Sequence, residues 1–283
     1  NAGLYGLNTQ FLFGLDTSPR LTRQLDMGRI GAVLARNPAD LQGGPPVTAL
    51  LVQSTNPAVV APDSQAVRKG LMRDDLFVCV HEQFMTDTAK LADIVLPATT
   101  FLEHNDLYQA SGHTFLQASK ALIAPIGQAR SNHLFIGQLA ERLGIAHPAF
   151  AMDEWSLIEQ VLQASNKPDA DVLHAQKWLD CAPAFEDAHF LKGFPQPDGR
   201  FRFSPDWSQL GPGHADMAAM PDHLAVIDEA TPDRPFKLVA APARHFLNTT
   251  FTETPSSIRS QKRPTALIHP QACEAQSIQE GDL

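Results

Sequence analysis

Two short polar clusters carry residue types suited to ligand chemistry: Ser54, Thr55 and Asn56, then Glu82, Gln83, Thr86, Asp87 and Thr88. Amide side chains donate and accept at a base edge, a carboxylate accepts from a guanine N–H pair, and threonine hydroxyls suit phosphate oxygens. The same residues also serve as ordinary chain punctuation. Asn56-Pro57 is turn chemistry, and Thr86 is a good helix cap. A third group, Glu103, His104 and His113, has the types for a metal or acid–base site. It lacks helical spacing and a third ligand, so solvated or structural roles fit it better.

The elements around the two clusters would bring them together. Val47–Gln53 is a near-continuous apolar run, expected of a parallel strand covered on both faces. A helix capped by Asp63 or Ser64 follows, with Val67, Leu71 and Met72 as its buried stripe. A strand at 76–80, a helix at 86–92 and a strand at 94–96 complete a β-α-β-α-β order. A parallel sheet with right-handed crossovers is the economical arrangement. Both clusters then sit at carboxyl ends of strands, where open α/β sheets bind ligands.

Residues 3–20 are Gly-rich and aromatic without a clear period. A helix is expected over 22–35, weakened by Gly28 and Gly31. Residues 98–114 read as a loop with a short helix. A helix starting at Ser131 or Asn132 should stop at Gly144, and helical patterns recur at 153–164 and 171–180. Pro197–Phe203 reads as a turn and an alternating strand, 205–234 as a linker, 236–241 and 265–270 as strands, and 271–276 as a helical turn. Domain organisation is therefore an α/β domain over 1–232 and a second unit over 233–283.

Composition narrows the function classes. A 43% hydrophobic chain of 283 residues can bury a substantial core. A net charge of -9 argues against sequence-independent nucleic-acid binding. No apolar run is long enough to span a membrane. Three well-separated cysteines, Cys79, Cys181 and Cys273, offer no C-x-x-C pair for zinc or iron–sulfur ligation, and they lean towards a reducing, cytoplasmic compartment. The P-loop, the Rossmann glycine fingerprint, the H-E-x-x-H helix and the nucleophile elbow are all missing. The first residues lack an initiator Met and the last ones stop where a turn should launch a strand, so the chain is expected to be a segment of a longer protein.

Phe84-Met-Thr-Asp-Thr-Ala-Lys-Leu-Ala-Asp-Ile-Val-Leu-Pro97, followed by Glu103 and preceded by Asn56-Pro57, resembles a motif of the prokaryotic molybdopterin oxidoreductases. These are the dimethyl sulfoxide reductase, formate dehydrogenase and nitrate reductase superfamily. Glu82 stands at the polar position after the strand, and Asp87 replaces the usual Glu. Gly193–Phe203 is similar to a further family segment. Leu238–Thr252, Leu267–Ala272 and Ile278–Asp282 are similar to the start of the family's dinucleotide-binding β-barrel domain.

The resemblance implies a parallel-sheet, Rossmann-like α/β domain with extra helices, followed by the start of a β-barrel. It implies molybdenum or tungsten held by two molybdopterin guanine dinucleotides. Asn56, Glu82, Thr86 and Thr88 match nucleotide-contacting turns; in the barrel piece Arg244, His245, Asn248 and Thr250 do so. Glu82 or Asn56 would take the base or ribose, the hydroxyls phosphate, and Arg244 negative charge. The family's metal ligand and the cysteines of its 4Fe–4S cluster lie upstream of the matched segment. The expected partners are a small redox substrate and an electron-transfer protein. A non-catalytic homologue and an unrelated α/β nucleotide-binding enzyme are the alternative readings. Asn56→Ala or Thr88→Ala is expected to lower cofactor occupancy more than stability.

Overall fold

A computed structural model describes residues 5–12, 23–207, 217–223 and 229–282. Parts of the irregular stretch expected at 3–20 and of the linker expected at 205–234 lie outside these residues. Asp26 caps a 3₁₀ turn at Met27–Arg29, which runs into helix α1 (Ile30–Leu34). Strand β1 (Ala49–Gln53), helix α2 (Pro57–Val60), helix α3 (Ser64–Leu71) and strand β2 (Phe77–Glu82) follow. A 3₁₀ turn at Ala89–Leu91 then leads into strand β3 (Ile94–Pro97).

The three strands form a parallel sheet in the order β1-β2-β3, with Leu51 beside Cys79 and Cys79 beside Ile94. The expected β-α-β-α-β order is therefore present. The helix expected at 86–92 is reduced to its 3₁₀ turn. Asp93 accounts for this: its N–H donates to the Val78 carbonyl at 2.9 Å and its carboxylate accepts the Val78 N–H at 2.7 Å. The chain is thus fixed to the sheet before a second helical turn can form.

Val52, Val78 and Val80 point to one side and pack with Leu34, Val67 and Leu71 from α1 and α3. The helices come close because glycines meet the opposing helix. A Cβ on Gly70 would lie 2.5 Å from Leu34 Cβ, and one on Gly31 2.9 Å from Ala66 Cβ. The helix penalty of Gly31 is thus the counterpart of tight packing. The other sheet face carries Leu51, Phe77 and Ile94, all exposed, so burial on both faces is not found among the described residues.

The second half is built around an antiparallel sheet. Strands β4 (Asp106–Tyr108) and β5 (Phe115–Ser119) pair, and β6 (Leu179–Asp180) adds to β5. The loop expected at 98–114 therefore contains a strand. Between β5 and β6 run helices α4 (Asn132–Arg142), α5 (Glu154–Ala164) and α6 (Ala170–Gln176). Ser131 caps α4 by accepting the Leu134 N–H, and Gly144 follows its end at φ +69°, as expected. The helix expected over 171–180 stops at Gln176 because Lys177 takes φ +76° and turns the chain into β6. Leu116, Ile158, Leu162 and Leu173 form this half's core. Arg130 joins the halves by running beside the end of β3: its N–H donates to Pro97 and its carbonyl accepts from Thr99, at 3.0 and 3.1 Å.

Helices α7 (Phe185–Ala188), α8 (Pro255–Gln261) and α9 (Pro270–Ala275) complete the described elements. The strand expected within Pro197–Phe203 and those expected at 236–241 and 265–270 do not form. Phe194 and Phe201 instead meet edge to face across the Gly199 turn, and Phe201 meets Phe203 in the same way. Leu238, Val239 and Leu267 are strongly exposed, and no strand lies beside them among the described residues. A strand needs a neighbour for its backbone groups, so apolar alternation alone does not hold one. The expected β-barrel start is accordingly irregular chain, turns and short helices here. No helix among the described residues is long and apolar enough to cross a membrane.

Candidate functional site

The two polar clusters do meet at the carboxyl ends of β1 and β2. After β1, Ser54 adopts φ +53° and Asn56 turns inward, 5% exposed. Its Oδ1 accepts the Thr88 hydroxyl at 2.6 Å and the Thr88 N–H at 3.3 Å. Thr88 Oγ1 in turn accepts the Ala58 N–H at 3.0 Å. These three bonds clasp one strand-end turn to the next. Thr88 is fully buried and sits behind the wall of the cleft. Thr86 also does local work, its hydroxyl accepting the Ala89 N–H at 3.2 Å, as the capping reading anticipated.

In front of this clasp lies a cleft of about 770 Å³, with Asn56, Glu82, Thr86 and Thr250 on its walls. Thr88, Arg244, His245 and Asn248 are not among the residues that line it. Glu82 Oε1 accepts the Gln83 N–H at 2.7 Å. Asp87 turns away towards α3, where the hydrogen bond from Arg68 at 2.6 Å holds its carboxyl below the usual carboxylate range.

Of the further wall residues, sequence singled out only His104, as a metal or acid–base candidate. His81, 2% exposed, sits beneath the cleft with Nε2 3.1 Å from the Arg130 carbonyl and Nδ1 3.1 Å from Asn132 Oδ1. Its ring stacks on Phe135 at 4.8 Å. Asn132 begins α4 and Nδ2 reaches Ser54 Oγ at 3.5 Å. The far wall comes from the second half: Thr99, His104, Asp106 and Tyr108, with Glu154 from the first turn of α5. Nothing in their spacing links them; the antiparallel sheet does. Glu103, by contrast, braces the loop: its carboxylate accepts the Thr100 N–H and hydroxyl and the Ile126 N–H, at 2.6, 2.8 and 2.7 Å. The backbone donors hold its pKa low, Thr100 first and Ile126 next.

The charge balance of the cleft is one-sided. Four carboxylates line it, from Glu82, Asp106, Glu154 and Glu253, and no lysine or arginine does among the described residues. Such walls favour a ligand part that is neutral and rich in hydrogen-bond donors, and they disfavour phosphate. No group of three or more His, Cys, Asp or Glu suited to a metal ion occurs among the described residues.

Comparison with known proteins places this geometry in context. The family model described as molybdopterin oxidoreductase matches residues 13–142, which contain the whole parallel sheet and the clasp. The chain is 32% identical to the probable oxidoreductase YoaE of Bacillus subtilis over 99% of its own length and 40% of that protein. It is 26% identical to the trimethylamine-N-oxide reductase of Haemophilus influenzae, over 84% of its length and 32% of the relative. Among solved structures, acetylene hydratase from Pelobacter acetylenicus matches with a TM-score of 0.65 at 23% identity, over 89% of this chain and 34% of that one. The chain thus spans a third to two fifths of the length of these relatives.

Proposed function

We propose, from the premise that this chain belongs to the molybdopterin oxidoreductase family, that its cleft grips the nucleotide end of a molybdopterin guanine dinucleotide. The complete protein is then a molybdenum or tungsten oxidoreductase acting on a small substrate with an electron-transfer partner. The supporting observation is the Glu82 carboxylate at the end of β2, facing a cleft whose walls suit a donor-rich, uncharged ligand part. Guanine presents adjacent N–H donors, and ribose presents hydroxyls. When bound, the cofactor supplies two-electron chemistry at its metal; the residues here hold and orient it.

The roles follow from position. Glu82 accepts from the base. Thr86, Asn56 and Thr250 shape the surrounding walls, and Thr88 fixes Asn56 from behind. Phosphates have no cation within the cleft, so we assign them to Arg244 and His245, which precede the wall residues Thr249, Thr250 and Phe251 in the chain. Asn248 would shape that segment, its φ of +53° bending the chain just before it. Residues 233–283 would be the opening part of a cofactor-binding β-barrel whose strands need further partners. The metal ligand and any 4Fe–4S cluster are assigned to no residue of this chain.

Full-length protein made in a cofactor-producing host tests this. Acid-released GMP and bound metal should be found together, and Glu82→Gln should lower both by about tenfold, the loss of one charged hydrogen bond. Wild-type protein containing neither molybdenum nor tungsten would sink the proposal.

A further inference from the structure

The far wall of the cleft holds a pair of groups the nucleotide reading does not use. Thr99, 4% exposed, places its hydroxyl 2.8 Å from His104 Nδ1. Gln83 in turn donates to the Thr99 carbonyl at 2.9 Å, tying this wall to the turn after β2. When Nδ1 accepts the hydrogen bond of the Thr99 hydroxyl, the neutral ring carries its proton on Nε2. That nitrogen lies 3.7 Å from Asp106 Oδ2, too far for a hydrogen bond. Asp106 Oδ1 is occupied by the Leu107 N–H at 2.8 Å. His104 and Asp106 therefore present one donor and one acceptor side by side on the cleft wall, with side chains 21% and 48% exposed.

A ligand hydroxyl satisfies both groups at once, accepting from Nε2–H and donating to Oδ2. A phosphate would meet the Asp106 charge, with Glu154 and Glu253 also on the walls. A bare carbonyl would leave the carboxylate without a donor. We infer that His104 and Asp106 form a sugar-hydroxyl subsite that reads the ribose of the bound nucleotide and discriminates against its 2′-deoxy form. Asp106 and His104 are contact residues in this account, and Thr99 positions the ring. The inference rests on the nucleotide reading of the cleft.

The probes are GMP and 2′-deoxy-GMP, titrated by calorimetry into full-length protein from a host blocked in molybdopterin synthesis. Wild type should bind GMP about tenfold more tightly, because a site built to bond a hydroxyl is left unsatisfied by an analogue lacking it. His104→Phe and Asp106→Ala should each reduce that ratio to less than about twofold. Both side chains are partly exposed, and thermal unfolding confirms that each variant is folded. The wild-type ratio stands as a test without any variant. Equal affinity of wild type for the two nucleotides, or variants that keep the preference, overturns the subsite alone. Wild type that binds neither nucleotide overturns the nucleotide reading and the subsite together.

Discussion

Thr88→Val separates framework from ligand contact most sharply. The substitution preserves the side-chain outline and removes only the hydroxyl. Two consequences follow from the geometry. The Ala58 N–H loses its acceptor at 3.0 Å, Asn56 Oδ1 loses its 2.6 Å donor, and both sites are buried. An orphaned buried donor costs about 1–3 kcal/mol, and a lost neutral hydrogen bond about 1 kcal/mol more. The expected destabilisation is roughly 2–4 kcal/mol, measured by urea unfolding of cofactor-free protein with an unchanged m-value. Cofactor content should fall as a consequence of the displaced Asn56 turn. This reverses the order expected from sequence, in which occupancy suffers more than stability. A change below about 0.5 kcal/mol, the range of neutral surface substitutions, would refute the clasp as a structural element.

Gly70→Ala should gain about 1 kcal/mol of helix propensity and lose more to a Cβ placed 2.5 Å from the buried Leu34 Cβ. The net loss, about 1–3 kcal/mol, is readable as a lower unfolding midpoint. Glu103 has a folded-state pKa below its unfolded one, so its contribution is present above the unfolded value and fades as pH falls through the folded one. Urea midpoints from pH 7 downwards should therefore fall more steeply in acid for wild type than for Glu103→Gln; parallel curves would contradict the bracing role. Asp87→Asn removes the partner of Arg68 on a half-exposed surface and should change stability by less than about 1 kcal/mol, with GMP content unaltered, since Asp87 faces away from the cleft.

What the sequence revealed divides along the two sheets. The parallel sheet was legible because its strands are short apolar runs separated by clear breakers, and because β-α-β order leaves little topological choice. The antiparallel sheet was not. Asp106–Tyr108 is too short to show a period, and Phe115–Ser119 alternates for only five residues between Gly112 and Lys120. The C-terminal strands failed for the opposite reason. Their apolar alternation is clear, yet Val239 and Leu267 have no neighbouring strand among the described residues, and pairing is a property of two segments.

The site shows the same division between local signal and assembled geometry. Asn56 and Thr88 stand out in sequence because of their types and their place in a family motif. In the fold they face each other, and Asn56 Oδ1 and the Thr88 hydroxyl are spent on the clasp. Glu82, two strand positions beyond the buried Val80, keeps a carboxylate towards the cleft. A motif can therefore be shared because it builds the wall as much as because it touches the ligand. The far wall makes the complementary point. His104 and Asp106 are two residues apart at the entry to a three-residue strand; His104 stood out by type alone, and nothing in the sequence paired it with Asp106. They become a donor–acceptor pair only because Thr99 fixes the imidazole and the antiparallel sheet sets Asp106 beside it. Recognition of the ligand's hydroxyls is thus written in the packing of the second half against the first, and the Arg130 bridge beside β3, the Gln83 bond to Thr99 and the His81 bond to Asn132 hold those halves in register.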